Sequence, residues 1–227
     1  MHEPDANEFA KMALAMFNES DTEHTLDRVV EYAQHATACD DAGLMLLHSR
    51  GRIETAVATH DRVYQADQLQ VDLAEGPCIQ AIWDRDVFIT DDTASDERFP
   101  NWGPKVAELG LRSVLSIRLH TATATVGALN LYGHQPGTFD DDDLDVADIF
   151  GRHASVALAS AREEEGLRQA IGARHLIGQA QGILMERYGL DHDRAFALLR
   201  RYSRDNNIKL RVVAQRVITN GKLSEEP

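Results

Sequence analysis

The sequence predicts an α+β domain, an antiparallel sheet with helices over residues 1–160, joined by a long helix to an all-α, three-helix domain over residues 161–227. Three observations carry this. Short apolar runs bounded by Gly, Asp, Arg and Pro fill the middle of the chain, as strands do. No proline and only single glycines interrupt residues 140–188, so one helix can run from the first module into the second as a stiff connection. Charge is also divided unevenly: residues 1–160 hold 11 Lys/Arg against 28 Asp/Glu, a net of −17, whereas residues 167–223 hold 11 against 4, a net of +7. Such asymmetry points to an acidic module joined to a small one with an anionic partner.

Taken in order, residues 5–38 read as helix in two pieces broken near Asn18–Asp21. The second opens with Ser20 and Glu23 at capping-box spacing and puts Leu26, Val29, Val30 and Ala33 on one face. Strands follow at Gly43–His48, Ile53–His60, Val87–Thr90, Ser113–Leu119 and Val126–Tyr132, with SRGR (Ser49 to Arg52) as the loop of an opening hairpin. Two short helices are expected between strands, PCIQAIWD after Gly76 and PKVAELG after Gly103, with all helices on one face of the sheet. The closing helix starts near Asp140. The three helices of the second module end at Tyr188-Gly189, start again at an Asp191 cap, and finish at Asn220-Gly221.

Chemistry is constrained mostly by what is missing. With 43% hydrophobic and 26% charged residues the chain can bury a core, and two cysteines, Cys39 and Cys78, rule out a disulfide scaffold. There is no GxSxG, GxxxxGK, GxGxxG or HExxH, so no enzyme, cofactor or metal is expected. A calcium loop starting at Asp141 fails, since Val146 and Arg152 stand where Gly and Glu are needed; the run Asp140–Asp143 reads instead as a helix N-terminus. Cys78, near a helix start, is either a thiol sensor or a buried small residue. His120, His134 and His153 have no partner at ligand spacing. No apolar run approaches ~18 residues and the first nine residues lack signal-peptide character, so a cytoplasmic protein with no membrane partner is expected.

The basic module is more informative. A wheel of the helix after Asp191 puts Ala195, Leu198, Leu199 and Tyr202 inward and Arg194, Arg200, Arg201 and Arg204 outward; Lys209, Arg211 and Arg216 add charge beyond the joint Asp205–Asn207. In a chain otherwise so acidic this favours phosphate binding over a merely solvated face. Gln179, Gln181, Asn206 and Asn207 are then candidates for base-edge contacts. Ala180 and Gly182 remove bulk where a loop base or a second helix could approach closely. Along the connecting helix Ala147, Phe150, Ala154, Ala157, Ala161, Leu167, Ala170, Arg174 and Ile177 form a seam suited to a homodimer, although up to Ser160 the same residues could face their own sheet.

The segment IGQAQGILMERYGLDHDRAFALLRRYSRDNNIKLRVVAQRVI, Ile177 to Ile218, resembles the ANTAR family of RNA-binding antitermination domains. That resemblance implies a three-helix unit that binds paired RNA stem-loops with short loops in mRNA leaders and favours an antiterminator over a terminator. Gln181 stands where the family commonly has Lys. Residues 20–160 look like a GAF domain of the type fused to ANTAR in actinobacterial regulators, on EGPCIQAI (Glu75 to Ile82), DERFPNWG (Asp96 to Gly103), SVLSIRL and VGALNLYG through FDDDDL. The resemblance implies a small-molecule sensor or dimerisation module; the NKxDE signature of cyclic-nucleotide GAF domains is absent, so that ligand does not carry over. A DNA-binding transcription factor and a ligand-sensing scaffold without a nucleic-acid partner are the alternatives.

Overall fold

The computed structural model describes Leu14, residues 22–83 and residues 86–223. The expected first helical piece from residue 5, and the Ser20 side of the expected capping box, lie outside them. The chain divides into two compact units, Met1–Glu163 and Glu164–Pro227. The first runs α1 (Thr22–Ala36), β1 (Asp41–Leu47), a 3-10 turn (Ser49–Gly51), β2 (Ile53–Ala58), α2 (Asp61–Leu73), α3 (Pro77–Trp83), β3 (Val87–Thr90), α4 (Gly103–Glu108), β4 (Ser113–His120) and β5 (Thr125–Gly133). Helix α5 (Asp141–Tyr188) begins in the first unit and ends in the second, which adds α6 (His192–Asp205) and α7 (Leu210–Asn220).

The five strands form one antiparallel sheet in the order β2-β1-β5-β4-β3. Strand alternation sends side chains to both faces, and both are covered. On one, Leu44, Leu46, Leu115, Ile117, Leu119, Leu129 and Leu131 pack against Leu26, Val29, Val30 and Ala33 of α1 and Ala147, Phe150, Ala154, Ala157 and Leu158 of α5. On the other, Phe88, Val114 and Tyr132 meet Val63 and Ala66 of α2, Val106 of α4, and Phe99 and Trp102, while Met45 and Ala128 meet Cys78 and Ile82 of α3. The expectation of helices on a single face is thereby corrected. The extra layer includes α2, a 13-residue helix absent from the expected elements, whose inward positions are Val63, Ala66, Asp67 and Gln70. Two of these four are polar, which breaks the apolar stripe that marks a helix in sequence.

The run Asp140–Asp143 closes the N-terminus of α5. Asp140 Oδ1 accepts from the Asp143 amide at 3.0 Å, Asp143 Oδ2 accepts from the Asp140 amide at 3.2 Å, and Asp143 Oδ1 accepts from the Ala38 amide at 3.1 Å. The bond at the Asp143 amide satisfies a donor that the first turn of a helix leaves open, and the bond from Ala38 ties the start of α5 to the chain after α1. Of the two surfaces the sequence leaves open for the stripe up to Ser160, its own sheet is the one that covers it: Ala147, Phe150, Ala154 and Ala157 are buried there. Ile149 and Val156 of α5 are exposed in this unit.

Cys78 is fully buried, its Sγ 3.3 Å from Met45 Sδ, and burial pushes its thiol far up, the reverse of a sensor held as thiolate. Burial likewise pushes Cys39 up to about 11. His134 Nε2 lies 2.8 Å from Asp41 Oδ2 and His120 Nε2 3.5 Å from Asp86 Oδ1. Among the described residues no group of three or more His, Cys, Asp or Glu could hold a metal ion, and no helix is long and apolar enough to cross a membrane.

Candidate nucleic-acid interface

The second unit is held by a core of seven buried residues, Ala180 and Leu184 of α5, Ala195 and Leu199 of α6, and Val213, Ala214 and Val217 of α7. Leu198 and Tyr202 are half-buried against it. Asp191 opens α6, its Oδ1 accepting from the Arg194 amide at 2.7 Å. Gly189 and Gly221 stop α5 and α7 at positive φ, +64° and +69°, where a Cβ would be strained. With this core inside, α6 must turn its arginines outward. Arg194, Arg201 and Arg204 expose 78%, 77% and 76% of their side chains, and Arg200 is exposed beside them.

These guanidinium groups are lightly restrained. Arg201 Nε and Arg204 Nε lie 3.4 and 3.3 Å from the carboxylate of Asp205, which both share, and Arg194 Nε lies 3.4 Å from Asp191. Exposed pairs of this kind are worth about 0 to 1 kcal/mol, so a phosphate can replace the carboxylate at little cost. Among the described residues Arg200, Lys209 and Arg211 have no ion-pair partner. Lys209 and Arg211 are also exposed.

The polar candidates separate into two groups. Gln179 is exposed on α5, its Nε2 2.9 Å from His175 Nε2, and Asn207 is exposed at the joint, where it adopts a positive φ of 52° that Asn tolerates. Asn206 is exposed, but its Nδ2 donates to the Tyr202 carbonyl at 3.0 Å and so closes the end of α6. Gln181 is only 6% exposed, and its Nε2 donates to the His192 carbonyl at 3.2 Å and lies 3.1 Å from His192 Nε2. Its amide ties α5 to the start of α6. Of the two small residues, Ala180 is fully buried in the core, and Gly182 faces open space with nothing within 4 Å of where a Cβ would stand. Ala180 thus takes the helix-packing alternative, and Gln181 is corrected from surface to interior.

Sequence reasoning passed over two sets of neighbours. Phe196 and Ala197 line a shallow depression on α6 together with Asp193, Arg200, Arg201 and Arg204, following the i, i+3, i+4 spacing of one helix face. On α7, Gln215, Thr219 and Asn220 line a second depression with Arg211 and Arg216 beside Leu176 and Val212. The polar stripe at Arg211, Gln215 and Thr219 is the signal that would have found it.

Family models agree with this division. The GAF domain model matches residues 19–159 and the ANTAR domain model residues 165–218. The chain belongs to the GAF domain family and carries an ANTAR domain after it, which makes it a regulator that pairs a sensory domain with an RNA-binding antitermination domain. Both are regulatory domains. No curated protein matches the chain by sequence.

Among solved structures, the chain is similar to the GAF domain of a phosphoenolpyruvate-protein phosphotransferase from Coxiella burnetii, at 15% identity and a TM-score of 0.55 over 70% of this chain and 94% of that one. The corresponding GAF domain from Acinetobacter gives 15% and 0.53 over 72% and 97%. A free methionine-R-sulfoxide reductase from Neisseria meningitidis, solved with its substrate, gives 13% and 0.53 over 69% and 89%. At these identities the likeness is one of fold.

Proposed function

We propose that the chain is an antitermination regulator in which residues 161–227 bind paired stem-loops with short loops in nascent mRNA and favour the antiterminator, under the control of a sensor formed by residues 1–160. The observation that carries this reading is the outward cluster of Arg194, Arg200, Arg201 and Arg204 on α6, with Lys209 and Arg211 across the joint, in a chain whose other module has a net charge of −17. These cations contact phosphate, while Gln179, exposed on α5, and Asn207, exposed at the joint, reach the edges of unpaired loop bases. Transcription in vitro from a leader carrying two stem-loops ahead of a terminator tests it: added protein raises read-through, and read-through unchanged at saturating protein rules the reading out.

Gly182 gives the interface a bare stretch of helix. A glycine in a helix interior costs about 0.5 to 1 kcal/mol relative to alanine. We expect Gly182→Ala to raise thermal stability while weakening RNA binding, because its methyl occupies space that the loop approaches. Titration of the same stem-loop RNA checks it; equal affinity with raised stability places Gly182 outside the interface.

The chain acts as a homodimer in this reading. In the first unit Ile149 and Val156 are 45% and 58% exposed on α5 and 7 residues apart, and in the second Leu167 and Ile171 are 59% and 66% exposed and 4 apart, so each pair lies on one side of its own stretch of helix. A second copy of α5 covers each pair. Replacing Leu167 and Ile171 together by Glu should convert a species of twice 25.2 kDa to one of 25.2 kDa in sedimentation at micromolar protein. A wild-type protein already at the smaller mass contradicts the dimer.

A further inference from the structure

The first unit buries a carboxyl group with no cation beside it. Asp67, on α2, is fully buried, and its Oδ1 accepts from Asn130 Nδ2 at 2.9 Å and from the Tyr132 hydroxyl at 2.8 Å, both on β5. Its Oδ2 accepts from the Thr55 hydroxyl on β2 at 3.3 Å. Behind it Ser116 on β4 donates to Asn130 Oδ1 at 2.7 Å, so the amide of Asn130 is held with its donor side toward Asp67. Gly43 of β1 seals the remaining side: a Cβ there would stand 3.0 Å from Asp67 Oδ2 and 2.6 Å from a methyl of Val63, so α2 lies against bare backbone.

One turn further along α2, Gln70 Oε1 accepts from the Cys78 amide at 2.8 Å, and the Glu75 amide donates to the Gln70 carbonyl at 3.2 Å. These bonds couple α3 to α2. The titratable groups facing Asp67 are Tyr132 on β5 and Cys78 on α3, and burial pushes both far up, so they stay neutral. From β1, β2 and β4 the groups against Asp67 are Gly43, Thr55 and, through Asn130, Ser116, none of them charged, while Asp41 at the start of β1 is paired with Arg62 of α2 at 2.8 Å.

We propose that Asp67 is a proton-operated latch of the sensor unit: with its carboxyl neutral, α2 and the α3 it carries are held on the sheet, and loss of the proton shifts both toward release from β1, β2 and β5. Burial pushes the Asp67 carboxyl up to about 7, against hydrogen bonds from Tyr132, Asn130 and Thr55 that lower it. An acid raised above its unfolded value of 3.8 makes its full contribution to closure below that value, and the contribution is lost as pH rises toward about 7. Above that the released and closed states bind the same number of protons, and the equilibrium is level. The latch belongs to the sheet unit and stands apart from the reading of the RNA interface.

Hydrogen exchange of the full chain, corrected for the intrinsic pH dependence of amide exchange, tests the latch. Protection of the α2 amides should fall about tenfold per pH unit as the pH rises toward neutrality and level off above it, with α7 amides showing no such change. In Asp67→Asn the α2 profile should be flat. A wild-type α2 profile as flat as that of α7, or an unchanged slope in Asp67→Asn, overturns the latch. Should Asp67→Asn fail to fold, Tyr132→Phe decides: it removes a donor that favours the ionised carboxyl, so the level region should begin at higher pH, and an onset at the wild-type pH rejects the assignment.

Discussion

Replacing Arg200 and Arg204 together by alanine should weaken binding to every stem-loop RNA alike, by about 40-fold at 0.1 M salt. Each phosphate contact contributes roughly 0.7 to 0.9 to the slope of log affinity against log salt, so each is worth about sixfold at that concentration and two multiply. The slope itself should shrink by about 1.4 to 1.8. Both side chains point into solvent, and Arg204 gives up only a shared contact of 3.3 Å with Asp205, so the variant keeps its fold. Asn207→Ala should behave differently. Its amide, exposed at the joint, is expected to alter preference among loop sequences while leaving the salt slope in place, because a guanidinium on phosphate is blind to base identity and an amide at a base edge is not. Parallel titrations of two loop sequences across a salt series separate the two effects. An unchanged slope in the folded double variant removes the α6 arginines from the interface.

Leu199→Ala should abolish RNA binding by another route. Leu199 is fully buried in a core of seven residues, three of which are alanines, so it supplies a large share of the apolar volume among α5, α6 and α7. Removing it costs about 2 to 5 kcal/mol, and a unit of this size has a margin of about 3 to 5 kcal/mol. Protection of amides in α6 and α7 should therefore collapse, with loss of helical signal in circular dichroism. A Leu199→Ala protein that keeps wild-type protection would show that this core does not hold the unit. The pair of variants distinguishes a lost contact from a lost fold, since only the arginine variant retains its helices.

Much of the architecture is legible in the residues because period and punctuation agree there. All five strands occur where short apolar runs end in turn residues, and Val87–Thr90 has the expected bounds. Helix α2 is not legible for a definite reason: its inward face carries Asp67 and Gln70, whose side-chain partners come from β2, β5 and α3, which no local window contains. With α2 missing, the second covered face of the sheet was invisible too. The seam along α5 is legible only as far as its spacing goes. Ala147, Phe150, Ala154 and Ala157 mark an apolar stripe, which leaves open whether a second copy or the chain's own sheet covers it, and the sheet does.

At the interface, charge was legible and amide placement was not. The arginines of α6 follow from the buried stripe of Ala195, Leu198, Leu199 and Tyr202, since opposite arcs of a helix cannot both face the core. Gln181 reads as a surface residue by its chemistry, yet it shares the inward face of α5 with Ala180 and Leu184. His192, eleven positions away on α6, takes its hydrogen bonds, and that partnership exists only once the two helices are packed. A tertiary contact outweighs residue type at such a position.

The central claim, that the basic surface of α6 and the joint binds stem-loop RNA, is tested most directly by titrating the full chain with an RNA carrying two short-looped hairpins, and with a blunt duplex RNA of the same stem sequence, from low to physiological salt. Tighter binding to the hairpins is expected at every salt concentration, with a log–log slope that corresponds to at least four phosphate contacts at roughly 0.7 to 0.9 each. Equal affinity for hairpins and duplex, or a slope near zero, would contradict it.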